Sequence, residues 1–358
     1  MNYTVVFLRK SMRHAAILFT LLSMLLFWGC ERDLDVVNPV PKGTKGVYVI
    51  NEGNFGRGNA EITLYIPDSN KAIQDLYYAV NSMRLGDQAQ NMYINNGVGY
   101  IVVCGSSKIV LIDVNTNKLI DTISSGLDNP RAIVFANNRM YVSNFYGSSI
   151  SIFGGPDYKT FIRNVTVKAN PDEMVIVNNK IYITHQSFFD VSKTVSVFDL
   201  FEDKITKTVE IGYNPTMVKS YGSYVVVLCS GDYGDYMDPN DDIFAEMYFI
   251  NSNGDVVADA IDIGEHPMDF AIAGDYAYVL GDMGVKKVDL KGKNIVNDMF
   301  ISGMFYSIGY DPENSLLYLG DAKNYSSNGE VSVYNLNAAV LNKFTAGIIP
   351  GAFCFNTD

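Results

Sequence analysis

The sequence predicts an all-β chain folded as a seven-bladed β-propeller with four-stranded blades, and three observations carry that prediction. A unit of polar residue, proline, short apolar strand, two-residue turn and second strand recurs along the chain. Seven such starts can be placed, near residues 89, 130, 171, 215, 267, 305 and 350. The chain ends together supply the one blade that the repeat leaves incomplete. Four strands per unit of roughly 40–50 residues is the arithmetic of a propeller blade.

The first 29 residues stand apart from this pattern. Arg9, Lys10 and Arg13 precede the apolar run AAILFTLLSMLLFWG, which is short for a membrane span and ends at Cys30. A basic head, an apolar middle and a small residue before cysteine are expected of a secretory leader, with Met12 an alternative start. Phe27-Trp28-Gly29-Cys30 resembles a lipobox, so Cys30 is the expected lipidation site; the other reading is an ordinary buried cysteine. ERDLD and then VVNPVPKGTKG follow. The prolines and glycines suit a flexible tether over 30–45, leaving 46–358 for the propeller.

Beyond the tether, GVYVIN (46–51), AEITLYI (60–66) and an irregular strand within 71–81 are the expected N-terminal contribution to the closing blade. The repeat then becomes explicit. NPRAIVFANNRMYVSNF (129–145), NPDEMVIVNNKIYITHQ (170–186), NPTMVKSYGSYVVVLCS (214–230) and HPMDFAIAGDYAYVLGD (266–282) align, with prolines 41, 44 and 52 residues apart. Weaker copies place Ala89, Phe305 and Pro350 at the proline position. Two further strands, such as SSISIFGG and TFIRNVTV, lie between starts. Their period-2 alternation, bounded by Gly, Asn and Asp, marks them as strands. After the last start only GAFCF remains, one strand to join the three at the N-terminus and close the ring without a free edge.

The Asn-Pro-strand-hairpin unit resembles the YncE-like seven-bladed propellers. YYAVNSMRLGDQAQNMYINN (77–96) and NEGNFGRGNAEITLY are similar to a narrower set, the BtuG-like cobalamin-binding surface lipoproteins of gut Bacteroides. The acidic residues after Cys30 resemble the surface-export signal of such lipoproteins, or form a solvated tether. The resemblance covers residues 46–358. It implies a protein held at the outer membrane by its lipid alone, binding cobalamin and handing it to a TonB-dependent transporter, with no cofactor.

Composition narrows the function independently. Without the leader the chain has 24 Lys and Arg against 39 Asp and Glu, a net charge near −15 that repels nucleic acid and anionic lipid. Three widely spaced cysteines, Cys104, Cys229 and Cys354, read as buried thiols and not as a disulfide framework.

In such a ring the turns joining second and third strands share a face with the Asn-Pro starts. They are long and varied: NEGNFGRGNA, CGSSK, SNFYGSS, THQSFFDVSKT, CSGDYGDYMDPNDDIFAE, GDMGV and GDAKNYSSNGE. The opposite face carries minimal hairpins. Long loops on a rigid scaffold are where function sits. The candidate ligand-binding residues are Asn54, Phe55, Arg57, Phe145, Tyr146, His185, Phe188, Tyr233, Tyr236 and Tyr325, aromatic area beside hydrogen-bonding groups. The other reading is that some of these aromatics pack the loops onto the blade tops.

Asp232, Asp235 and Asp238 in the acidic loop are a weak Ca²⁺ candidate, since their spacing is not that of an EF-hand; a solvated insertion is the alternative. NEGNFGRGNA lacks a Gly-Lys-Ser/Thr ending and leads into a strand, so it is not a nucleotide loop. Asp121-Thr122-Ile123 resembles an O-glycosylation acceptor, but it is a short pattern on an expected strand, and chance is the stronger explanation. Only His185 and His266 follow the leader, with no HExxH, GxSxG or CxxC. A non-enzymatic binding protein is therefore expected. An adhesion or scaffold propeller for protein or glycan, and a metal-dependent lactonase-like hydrolase, are the alternatives.

Overall fold

A computed structural model describes residues 46–168, 170–187, 191–234 and 240–357. The leader, Cys30, the tether and four loop positions singled out above (Phe188, Asp235, Tyr236 and Asp238) lie outside the described residues. Among the described residues no helix is long and apolar enough to cross a membrane.

The strands form seven antiparallel four-stranded sheets. Six are built from consecutive strands, with innermost strands Ala89–Asn95, Pro130–Ala136, Pro171–Val177, Pro215–Tyr221, Asp269–Ala273 and Ser307–Asp311 for blades 1 to 6. Blade 7 is the expected composite: Pro350–Asn356 lies innermost, followed by Gly46–Asn51, Glu61–Ile66 and Lys71–Ile73. Its closing register pairs Val47 with Phe355 and Val49 with Phe353.

One element differs from the expectation. The irregular strand within 71–81 is a strand of three residues followed by a short helix, α1 (Leu76–Asn81). Leu76 and Tyr77 are buried between blades 7 and 1. Asn81 Oδ1 accepts the Leu119 amide, and its Nδ2 donates to the Asn117 carbonyl. This side chain therefore binds the outer edge of blade 1, and a continued strand would leave those groups unpaired.

The repeated Asn-Pro has a local cause. Asn129, Asn170 and Asn214 have φ of 53°, 54° and 53°, the left-handed region that asparagine tolerates better than other side chains. In that conformation each carbonyl accepts an amide at the end of the second strand, from Phe145, Gln186 and Ser230 respectively. Asn129 Nδ2 also donates to the Cys104 carbonyl of the preceding blade. His266, standing in for Asn in blade 5, reaches back in the same way, its Nδ1 lying 2.8 Å from the Ser230 carbonyl. At Asn129 and His266 the start of the unit is thus a stitch between neighbouring blades.

Packing follows the ring. The buried apolar residues fall into seven clusters, one at each blade-to-blade interface, including that between blades 6 and 7. Both faces of each second strand are buried, so alternation there assigns side chains to one neighbour or the other. Val142 faces blade 1 and Tyr141 faces blade 3. A tyrosine holds the third position of that strand in six blades: Tyr48, Tyr100, Tyr141, Tyr182, Tyr278 and Tyr318, all buried. Tyr48 donates to Asn117 and Tyr182 to Asp255, whereas the buried Tyr318 hydroxyl has no hydrogen-bond partner among the described residues. Cys104, Cys229 and Cys354 are free and buried, and burial pushes all three thiols up.

Candidate functional site

The Asn-Pro starts and the second-to-third-strand loops meet on one face, joined by the backbone hydrogen bonds just described. The opposite face carries tight turns such as Asn137-Asn138 and Asn178-Asn179, with φ between 49° and 59° as type I′ requires.

The loop NEGNFGRGNA shows what its glycines are for. The amides of Gly56 and Gly58 donate to the Asp87 carboxylate, at 2.9 and 3.4 Å, so the loop wraps an anion that the chain itself supplies. Gly53 has φ of 72° and lies against the Asn59–Ala60 backbone, where a Cβ would stand 2.7 Å from two main-chain atoms. Asn54 Nδ2 donates to the Tyr325 carbonyl, tying this loop to that of blade 6. Held this way, Phe55 is 80% exposed and Arg57 is exposed beside it.

The other candidates divide by burial. Tyr146, Tyr233 and Tyr325 are exposed, at 71, 62 and 53%. Phe145 is buried, with the Arg131 guanidinium 5.1 Å from its ring centroid and Tyr146 edge-on against it, so it packs its loop onto the blade top. His185 does not open onto the face. It ends the second strand of blade 3 fully buried, with Nε2 2.7 Å from Ser196 Oγ. An inward position on a central strand outweighs the polarity of the ring once a hydroxyl partner is in place. Tyr233 stacks on His266 with centroids 3.8 Å apart. In the acidic loop Asp232 pairs by backbone with Ile243, and its carboxylate accepts the Gly234 amide. Among the described residues no three His, Cys, Asp or Glu side chains are grouped to hold a metal ion.

Inside the rim of exposed aromatics the innermost strands leave a central cavity of about 840 Å³. Its upper end is lined by the residues that directly follow the repeat prolines or their substitutes: Gln90, Arg131, Asp172, Thr216, Met268, Tyr306 and Gly351. Arg131 Nε donates to Asp172 at 2.8 Å and its Nη1 to Gln90 at 2.7 Å, linking three blades. Burial opposes the Arg131 charge, but Asp172 outweighs it and holds the guanidinium protonated. Tyr306 donates to Glu52 at 3.0 Å, and burial raises both groups. Tyr306 in turn meets Tyr325 edge-on at 5.8 Å, joining the cavity wall to the rim. Glu173 lies one residue further in, and burial with the Asp172 charge raises its carboxyl to about 7. This charged wall is absent from the sequence-based candidates. The signal was the column after each repeat proline or its substitute, where Gln90, Arg131, Asp172, Thr216 and Tyr306 place polar groups at one level of the ring.

Residues 45–227 match the family model described as a domain of unknown function, DUF5074, and the chain belongs to that family. No curated protein matches it. Solved structures similar to it share the fold. A quinoprotein alcohol dehydrogenase-like protein (BT1487) from Bacteroides thetaiotaomicron aligns at 16% identity, covering 88% of this chain and 79% of its own, with a TM-score of 0.62. The hydrazine synthase of Kuenenia stuttgartiensis aligns at 15% identity over 74% of this chain and 88% of its own, with a TM-score of 0.61. AztD from Citrobacter koseri aligns at 10% identity over 86% and 97%, with a TM-score of 0.55.

Proposed function

We propose that this DUF5074 propeller is a non-enzymatic binding lipoprotein, anchored at the outer membrane through Cys30, that captures a nutrient on its loop-rich face for a TonB-dependent transporter. The observation that carries the reading is the ring of exposed aromatics, Phe55, Tyr146, Tyr233 and Tyr325, around the mouth of a polar central cavity. Exposed rings of this size on loops pinned by hydrogen bonds present apolar area at little conformational cost on binding. Arg57 sets an exposed hydrogen-bonding group beside Phe55, while Asn54 fixes their loop against that of Tyr325. That combination suits a large amphipathic molecule laid across the mouth, and cobalamin, the ligand implied by the BtuG-like resemblance, is the first candidate.

The test is an equilibrium titration of the purified chain with cyanocobalamin. Saturable binding at micromolar ligand or below is expected, and absence of binding there rejects cobalamin. Co-purification of a TonB-dependent transporter from the native membrane tests the hand-over.

A further inference from the structure

The central channel carries a second feature that the rim does not use. Four carboxyls line its wall, Glu52, Asp172, Glu173 and Asp269, against two cations, Arg131 and Lys219. Arg131 is committed to Asp172. Asp269 accepts the amides of Phe270 and Ile308 and bridges blades 5 and 6. Glu52 accepts from Tyr306. Glu173 differs from all three: its carboxyl has no hydrogen-bond or ion-pair partner among the described residues, and it lines the channel half-buried. Lys219, on the intervening blade and two residues deeper in the repeat, forms no direct ion pair among the described residues, but its charge acts on both Glu173 and Asp269. The wall therefore carries more carboxylates than cations, and the half-buried Glu173, within the fields of Lys219 and Arg131, is the one whose carboxyl lacks a direct partner among the described residues.

The channel is also graded along its length. Its far mouth opens into a space of about 640 Å³ lined mainly by apolar side chains, among them Ile94, Val134, Phe135, Ile176 and Phe355. Tyr93, Met174 and Phe353 line both spaces, so the acidic and apolar sections are continuous.

We propose that this channel is a binding site for a small organic cation, an ammonium group on an apolar body, with the ammonium at Glu173 and the body directed toward Phe353 and Phe355. An ammonium supplies the donors and the positive charge that Glu173 lacks, and the apolar mouth shelters a chain that water does not solvate well. The groups facing Glu173 are Asp172, Arg131, Lys219, Asp269 and Tyr93. Glu173 is raised to about 7 by burial and by Asp172. Ligand that pairs with its ionised form releases a proton below that pH and binds more tightly as pH rises through it. The site is independent of the rim ligand proposed above.

Calorimetric titration of the full chain with hexylammonium, hexanol and hexanoate tests this. At about pH 8 hexylammonium is expected to bind at least about tenfold more tightly than either analogue, and to weaken at about pH 5.5. Runs in buffers of different ionisation enthalpy should report proton release near neutrality. Glu173→Gln is expected to lower the ammonium affinity at least about tenfold while keeping cooperative thermal unfolding, whereas Phe55→Ala with Tyr146→Ala leaves it unchanged. Equal binding of hexanol or hexanoate, failure of all three to bind at about 10 mM, or an unaltered Glu173→Gln variant overturns the proposal. Because cyanocobalamin is titrated separately, loss of one site does not decide the other.

Discussion

Glu173 shows how much one residue's setting matters. Its carboxyl is raised from 4.5 to about 7 by burial first and Asp172 second. A raised carboxyl contributes full stability below its unfolded value and loses it as pH climbs through its folded value. Ionised Glu173 therefore costs the fold on the order of 3 kcal/mol above neutrality, as an upper figure. Glu61, raised to about 7 by burial and Asp75, acts in the same direction. Glu173→Gln should thus raise the melting temperature at about pH 8 and leave it nearly unchanged at about pH 4.5, read by calorimetry across that range. Arg131→Met should do the opposite of stabilising, stranding Asp172 and costing about 3 kcal/mol in denaturant unfolding. Neither residue was legible as special from composition. A charged side chain after a repeat proline reads as solvent-facing on a strand, and only the closed ring turns that side into a channel wall. His185 misled in the reverse sense, because a lone polar ring at a loop edge says nothing about an inward hydroxyl such as Ser196.

At the scale of elements, the Asn-Pro start was fully readable, because each half answers a backbone demand: a left-handed turn for Asn129, Asn170 and Asn214, then a strand whose first amide needs no partner. The helix Leu76–Asn81 was not, since its cause is a non-local one, the capping of blade 1 by Asn81. The loop NEGNFGRGNA was legible as a turn-rich loop, while the anion it wraps, Asp87, lies in another blade. Asp87→Ala should leave the fold near its native stability, within about 1–2 kcal/mol, but loosen Phe55 and Arg57 and weaken rim binding several-fold. Gly53→Ala, forced against main-chain atoms at φ of 72°, should cost at least about 1 kcal/mol in thermal unfolding. If the aromatic face contributes, Phe55→Ala with Tyr146→Ala lowers cyanocobalamin affinity by more than about tenfold in titration, and a smaller loss would place the binding energy elsewhere.

For the whole molecule, the closure is the feature on which the rest depends. Seven interfaces of similar make-up hold the ring, and the last is completed only by pairing Pro350–Asn356 with Gly46–Asn51. Removing residues 350–358 exposes the edge of Gly46–Asn51 and opens both the ring and the channel, so cooperative unfolding should be lost in a denaturant titration. The fold was readable because four-strand repeats with a one-plus-three split of the ends admit few other closures. The ligand was not, since the face is built from seven loops whose side chains meet only in space. Hydrogen–deuterium exchange of the chain with and without saturating cyanocobalamin therefore tests the central claim most directly. Protection confined to the loops bearing Phe55, Tyr146, Tyr233 and Tyr325, with the Asn137-Asn138 and Asn178-Asn179 hairpins unchanged, is the expected result. Protection on the hairpin face, or none anywhere, would contradict it.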